Sequence, residues 1–273
     1  MKLIDGKILA EKIKDKIALE IASFNGPRPG LAIILVGERP DSKLYVSLKE
    51  KQAKAVGIDT HLYNCDEDIS QENLIATIKF LNDDPVIDGI LLQLPLPNNL
   101  DTDLIVNTIN PAKDIDGFTK INREHLMSAN TEVGFMPPVY GVILSILASI
   151  NFDLAEKKVC LLVNSDIFED NLEETLKRQN AIITKNTKEA DVVITAQGKA
   201  KSITAEMIKD DAVIIDIGIN HDTNNKLCGD VDALAMEKKL GYLTPVPGGV
   251  GPMTIAMAFW NTLIAYKKLH KVK

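Results

Sequence analysis

The chain has 273 residues, 45% of them hydrophobic and 25% charged, the balance of an ordinary globular protein and more chain than one core usually organises, so about two domains are expected. A formal net charge of −7 excludes a general nucleic-acid or anionic-membrane binder, which needs excess Lys and Arg to attract phosphates, but leaves room for a local pocket for an acidic metabolite. Cys65, Cys160 and Cys228 are odd in number and far apart, without a CxxC pair or a His at metal-ligand spacing. They read as buried reduced thiols of a cytoplasmic protein with no metal site.

Residues 1–21 carry Lys and Glu throughout an amphipathic pattern and lack the apolar core of a signal peptide. Ile8, Ile13, Ile17 and Ile21 recur at roughly helical spacing, predicting a helix over 7–23 that ends at the Asn-Gly-Pro-Arg-Pro-Gly break of 25–30. Residues 31–37, LAIILVG, read as a buried strand. A helix over 42–56, closed by Gly57, a short strand near 59–63 and a helix near 70–82 follow. The apolar run at 90–94 is a strand stopped by Pro95. This alternation predicts a mostly parallel sheet covered on both faces, with ligands at the carboxyl ends of its strands.

After Asp114-Ile-Asp-Gly-Phe118, a helix near 139–150 leads into a second α/β unit with strands at 157–163, 181–184, 191–196 and 212–218. The final helix, about 253–268, is expected to pack back on the first domain. Its longest apolar run, near 255–265, is too short to span a bilayer, so no membrane association is expected.

Four local features carry chemistry. Residues 244–254, TPVPGGVGPMT, are proline or glycine at six of eleven positions and open a helix: a stiff loop whose backbone N–H groups a small polar ligand could approach closely. Tyr45 and Lys49 lie four apart on the second helix, which puts an aromatic platform beside an amine. If that face looks into a cleft, desolvation lowers the amine's pKa toward the range useful for acid–base work. Gln93, at the end of a buried strand, needs hydrogen-bond partners and could orient an amine without adding charge. Asp116, on a loop before a glycine, could accept hydrogen bonds from an N–H-rich ring; the alternative for Asp114 and Asp116 is turn capping.

The strings DSKLYVSLKEKQAKAVGI, DGILLQLPLP, PAKDIDGF, IIDIGIN, GDVD and TPVPGGVGPMT together resemble the FolD family, the bifunctional methylenetetrahydrofolate dehydrogenases and methenyltetrahydrofolate cyclohydrolases, over nearly the whole chain and in the family's order. The resemblance implies an α/β fold of two domains: a folate-binding catalytic domain over 1–118 plus 245–273, completed by the C-terminal helix, and a compact Rossmann-like, nominally NAD(P)-binding domain over 119–244. It assigns catalysis to Lys49, with Gln93 on the lysine, Tyr45 packed on the folate and Asp116 on the pterin. Ser42 lies beside them, and Pro247, Gly248, Gly249 and Val250 line the folate cleft. Cofactor contacts fall to Asn164, Ser165 and Ile219. A tetrahydrofolate derivative is the implied substrate, NADP or NAD the implied cofactor, and a cytoplasmic homodimer the implied assembly.

The chain departs from that resemblance along the dinucleotide's path. Where the family has GRSxxVGxP, this chain reads Val163-Asn-Ser-Asp-Ile-Phe-Glu-Asp-Asn171, with Val163 and Glu169 at the two glycine positions and Asn171 at the proline. Only six residues, Lys185 to Ala190, connect the strands at 181–184 and 191–196, and the family's PxTPxG stands as Pro137-Pro-Val-Tyr-Gly141. Cyclohydrolase chemistry is therefore the leading expectation. The fully bifunctional enzyme with atypical cofactor binding and a non-catalytic folate-binding regulatory subunit are the alternatives.

Overall fold

The computed structural model describes residues 1–128 and 134–272. In chain order the elements are β1 (Lys2–Leu3), α1 (Gly6–Ala22), β2 (Gly30–Val36), α2 (Pro40–Ala55), β3 (Asp59–Cys65), α3 (Gln71–Asp83), β4 (Gly89–Leu92), α4 (Thr102–Val106), α5 (Lys120–Met127) and α6 (Pro138–Ser149). Then follow β5 (Lys158–Val163), α7 (Asp166–Lys177), β6 (Ile182–Thr184), β7 (Val192–Ala196), β8 (Val213–Asp216), β9 (Asn220–His221), β10 (Leu227–Cys228), β11 (Tyr242–Leu243) and α8 (Val250–His270). Two compact units emerge: Lys12–Pro138 with Ile255–Lys273, and Met1–Glu11 with Val139–Thr254.

In the unit built on Lys12–Pro138, the sheet order is β3-β2-β4 and both pairings are parallel. Parallel neighbours cannot be joined by a tight turn, so α2 and α3 serve as crossovers. The period of two along β2 divides its side chains between two cores. Leu31, Ile33 and Leu35 pack with Ile17, Phe259 and Leu263 on one face, while Ala32, Ile34 and Val36 pack with Leu74, Ile78 and Leu81 on the other. The three α3 residues fall at i, i+4 and i+7, and Ser70 caps that helix by accepting from the Asn73 N–H. Burying each such Leu, Ile or Phe contributes about 1.5–3 kcal/mol. The C-terminal part of α8 joins this unit because Phe259 and Leu263 complete its apolar layer.

In the other unit the order is β1-β11-β8-β7-β5-β6, with every pairing parallel. β5 has β6 on one side and β7 on the other, so the topological switch point, where such sheets receive ligands, lies at the carboxyl ends of β5 and β7. Two of these strands have no counterpart in the sequence reading. β1 and β11 are two residues each, too short to carry a period, and exist only because Lys2 and Leu3 pair with Tyr242 and Leu243. This pairing draws residues 1–11 into the second sheet's unit, and the units divide near 138 and 254, whereas the sequence suggested 118 and 244. Cys160 and Cys228 are buried; Cys65, expected to be buried as well, is only half-buried because it ends edge strand β3.

Candidate active site

One face of α2 supplies Ser42, Tyr45 and Lys49, at i, i+3 and i+7. Ser42 is buried, Lys49 half-buried, and Tyr45 39% exposed, leaving much of its ring open to stack on a planar ligand. The β2–α2 connection follows the carboxyl end of a central strand, which is where parallel sheets place ligand-binding groups.

Gln93 follows the last residue of β4, and its backbone N–H still continues the ladder by donating to the Ile34 carbonyl at 2.9 Å. Its side chain is fully committed in orientation. Nε2 donates to the Leu94 carbonyl at 2.9 Å, which turns Oε1 toward Lys49, whose Nζ donates to it at 2.9 Å. The amide thus fixes the amine without placing a negative charge against it.

Asp116 is delivered by a loop that behaves as a short extension of the sheet. Ile90 donates to the Lys113 carbonyl at 2.7 Å, and Ile90 and Asp114 form a parallel bridge. Asp114 is the anchor: its Oδ2 accepts from the Thr119 N–H and from Asn122 Nδ2, each at 2.8 Å. Ile115 is in the core, and its carbonyl accepts from Asn261 Nδ2 at 2.7 Å. Gly117 has φ of +67°, and a Cβ there would come within 2.4 Å of the Phe135 carbonyl oxygen, so the turn that presents Asp116 requires glycine. Both acids line a small cavity with Leu92, Leu94 and Phe118, but they differ in use: the Asp114 carboxylate is spent on the turn, whereas Asp116 couples electrostatically to Lys49.

Desolvation holds the Lys49 ammonium below the usual lysine range, and Asp116 pulls it back up. Burial pushes the Asp116 carboxyl up to about 6, with Lys49 working against that and Asp114 adding to it. An amine that gives up its proton more readily, close to a carboxylate that takes one more readily, is an arrangement suited to proton transfer.

Asn122 and Asn261 were not singled out from sequence. An Asn on an amphipathic helix looks like any surface polar residue, and only its contacts reveal that it ties down the loop carrying Asp116.

The 244–250 segment belongs to the other unit and is held there by close backbone packing. A Cβ at Gly6 would lie 1.8 Å from the Gly249 carbonyl oxygen, so the start of α1 rests directly on the loop. Gly248 adopts φ of +108°, and a Cβ at Gly249 would meet the Pro245 oxygen at 2.7 Å. The adjoining Thr244 hydroxyl accepts from the Asp216 N–H at 2.8 Å. Asp216 in turn accepts from the N–H groups of Gly218, Asp230 and Val231, while Asp230 accepts from Thr195 Oγ1, the N–H groups of Gln197 and Lys199, and Asn220 Nδ2. The IIDIGIN and GDVD strings thus hold strand ends together; Ile219, in the first of them, is 56% exposed.

At the switch point the turn between β5 and α7 is exposed, but its groups are not those that ordinarily receive a dinucleotide pyrophosphate. Ser165 is the N-cap, and its Oγ already accepts from the Phe168 N–H. Asn164 Nδ2 donates across to the Gln197 carbonyl at 3.3 Å, bridging the ends of β5 and β7. Phe168 packs edge-on against Tyr140 at 5.2 Å, whose hydroxyl donates to the Phe168 carbonyl at 3.1 Å. The first turn carries the carboxylates of Asp166 and Glu169, and Glu169 is paired with Lys185. Acids there complement the helix dipole that would otherwise attract an anion. The turn therefore lacks the glycines and open charge that ordinarily receive a pyrophosphate.

Comparison with known proteins places the whole chain. Residues 4–116 match the family described as tetrahydrofolate dehydrogenase/cyclohydrolase, catalytic domain, and residues 137–270 match its NAD(P)-binding domain. The bifunctional protein FolD of Oceanobacillus iheyensis is 42% identical, with 99% of each chain covered; the alignment spans 283 positions, more than the 273 residues here, so the relative carries residues this chain lacks. The crystal structure of the bifunctional FolD of Campylobacter jejuni superposes with a TM-score of 0.94 at 38% identity, covering 98% of this chain and 99% of that one. A Trypanosoma brucei methylenetetrahydrofolate dehydrogenase-cyclohydrolase, solved with NADP and an inhibitor, gives a TM-score of 0.91 at 30% identity over 97% of both chains. Matches that cover nearly all of the chain, in both of its domains, make it an enzyme of the tetrahydrofolate dehydrogenase/cyclohydrolase family.

Proposed function

We propose that the protein interconverts one-carbon derivatives of tetrahydrofolate and that its Lys49 centre hydrolyses 5,10-methenyltetrahydrofolate to 10-formyltetrahydrofolate. The observation that carries this reading is the Lys49–Gln93 hydrogen bond of 2.9 Å, in a setting where desolvation lowers the amine's pKa. The substrate's amidinium carbon is attacked by water. As the new C–O bond forms, neutral Lys49 takes a proton from the water, leaving a carbinol bonded to both nitrogens. Loss of the carbinol O–H proton and cleavage of the C–N5 bond, with N5 protonated by the Lys49 ammonium, give the N10-formyl product. One proton is released overall, as cation plus water becomes neutral product. General acid–base assistance of this kind supplies about 10²–10⁴-fold in rate.

Asp116 is assigned to the pterin, whose ring N–H groups a carboxylate can accept from, and the exposed face of Tyr45 to stacking on the folate. Ser42 neighbours them on the same helix. The parts of Pro247, Gly248, Gly249 and Val250 in substrate binding, and of a homodimer in the cytoplasm, rest on the sequence resemblance; light scattering after gel filtration reports the assembly.

Family membership brings a second half-reaction, oxidation of 5,10-methylenetetrahydrofolate with NADP or NAD, for which Asn164, Ser165 and Ile219 are the candidate contacts. A purely regulatory, non-catalytic role is disfavoured by the oriented amine, since a scaffold has no use for one. Purified protein assayed for loss of methenyltetrahydrofolate absorbance tests the reading. Turnover that disappears in Lys49→Met supports it, and an unimpaired Lys49→Met variant would sink it.

A further inference from the structure

The turn at the switch point of the six-stranded sheet carries acids of its own and no glycine. We infer that the α7 carboxylates stand where the phosphates of a dinucleotide would be received, so that the protein works as a cyclohydrolase that does not hold NAD(P). This rests on the cyclohydrolase reading above and sharpens it.

Three independent observations converge. First, residues 158–177, from β5 through α7, contain no glycine, so no position in the turn lets a pyrophosphate approach the backbone without meeting a Cβ. Second, part of the helix N-terminus is already used internally: the Phe168 N–H donates to the N-cap Ser165 Oγ at 3.4 Å. Third, the cation best placed for a phosphate is taken. In doubly wound folds the group that reads the adenosine ribose, or carries its 2′-phosphate, stands at the end of the strand after the first helix. Here that place belongs to Lys185, immediately after β6, and its ammonium pairs with Glu169 and lies 3.9 Å from Glu173. The chain supplies its own anions to its own cation, and an incoming phosphate would have to displace them while facing the added charge of Asp166 and Asp170.

The consequence for the reaction sequence is chemical. A methenyl substrate stands one two-electron oxidation above the methylene form. If this chain does not hold the hydride acceptor, its substrate must come from a separate oxidation of methylenetetrahydrofolate, or the enzyme must run in reverse, closing the formyl form to the methenyl one.

The test is an equilibrium titration of the full-length protein with NADP and with NAD by calorimetry, beside a cyclohydrolase assay without either nucleotide. Expected is cyclohydrolase turnover that neither nucleotide changes, with no saturable binding up to millimolar concentration. Saturable binding in the micromolar range, with or without hydride transfer, would overturn the inference. An absence of cyclohydrolase turnover would instead fail the reading on which it rests, and the titration remains readable in that case. The double variant Asp166→Asn/Glu169→Gln tests the charge itself. Removing both acids, at about two- to fivefold per acid, should bring NADP binding within the range of the same titration with cyclohydrolase rates unchanged, and a variant whose titration stays as flat as the parent's would count against the carboxylates as the obstacle.

Discussion

Lys49 Nζ donates to Gln93 Oε1 at 2.9 Å, although the two residues are 44 positions apart and lie on different elements. The bond joins a helix face to a strand end through a neutral acceptor, so the amine is oriented while its ammonium form gains no ion pair from that partner. Gln93→Glu should reverse this. A carboxylate against the amine stabilises the ammonium, raises its pKa and depletes the neutral base. We expect kcat to fall about 10²-fold or more, KM to move less, and part of the activity to return at higher pH; a pH–rate profile checks it.

Asp116 sets the pH dependence from the other side. Lys49 must be neutral to accept a proton, so activity rises as pH rises through the lowered lysine pKa. Asp116, pushed up to about 6, becomes an anion as pH rises through that value and raises the lysine pKa. In Asp116→Asn that pull disappears, and the ascending limb should shift to lower pH while KM for the folate rises. An unshifted limb would mean that Lys49 does not feel Asp116.

Gly6→Ala introduces a Cβ 1.8 Å from the Gly249 carbonyl oxygen, where backbone rather than a flexible side chain must yield. The cost should be about 1–3 kcal/mol. A thermal melt should record a fall of roughly 2–4 °C for each kcal/mol in a unit of this size. Gly251→Ala, which meets nothing within 4 Å, is the control and should melt like the parent protein.

Asp230 accepts four hydrogen bonds in the buried end of the second sheet, and these outweigh the burial that would otherwise raise its pKa, so the pKa is lowered. Asp230→Ala leaves those donors unpaired and should destabilise by about 2–5 kcal/mol. Because the folded pKa lies below the unfolded one, the contribution is complete above the unfolded value and fades as pH falls through the folded one. Denaturant midpoints of parent and variant should therefore converge only below about pH 4.

Much of this was legible in the residues. The branched run of Leu31–Val36 can hardly be anything but a buried strand, and the spacing of Tyr45 and Lys49 puts both on one helical face whatever surrounds them. The two-residue strands β1 and β11 were not legible, since a period needs more residues than they have. Nor were the supports of the site: Asn122 and Asn261 matter through partners up to 146 positions away, and no local pattern encodes such a separation.

The altered turn after β5 divides the same way. The sequence alone told that glycines were missing and that acids stood at Val163–Asn171, because backbone freedom and charge are properties of the residues themselves. It could not tell that Ser165 already occupies the Phe168 N–H, that Asn164 bridges to Gln197, or that Lys185 is held by Glu169. Those are matters of which groups meet, and only the packed sheet, which brings β6 and β7 to either side of β5, decides them. Likewise the sequence determined that a lysine, a glutamine and an aspartate were present, and tertiary structure made them a site. Burial lowered the amine's pKa and raised the carboxyl's, a change of environment that no linear order of residues contains.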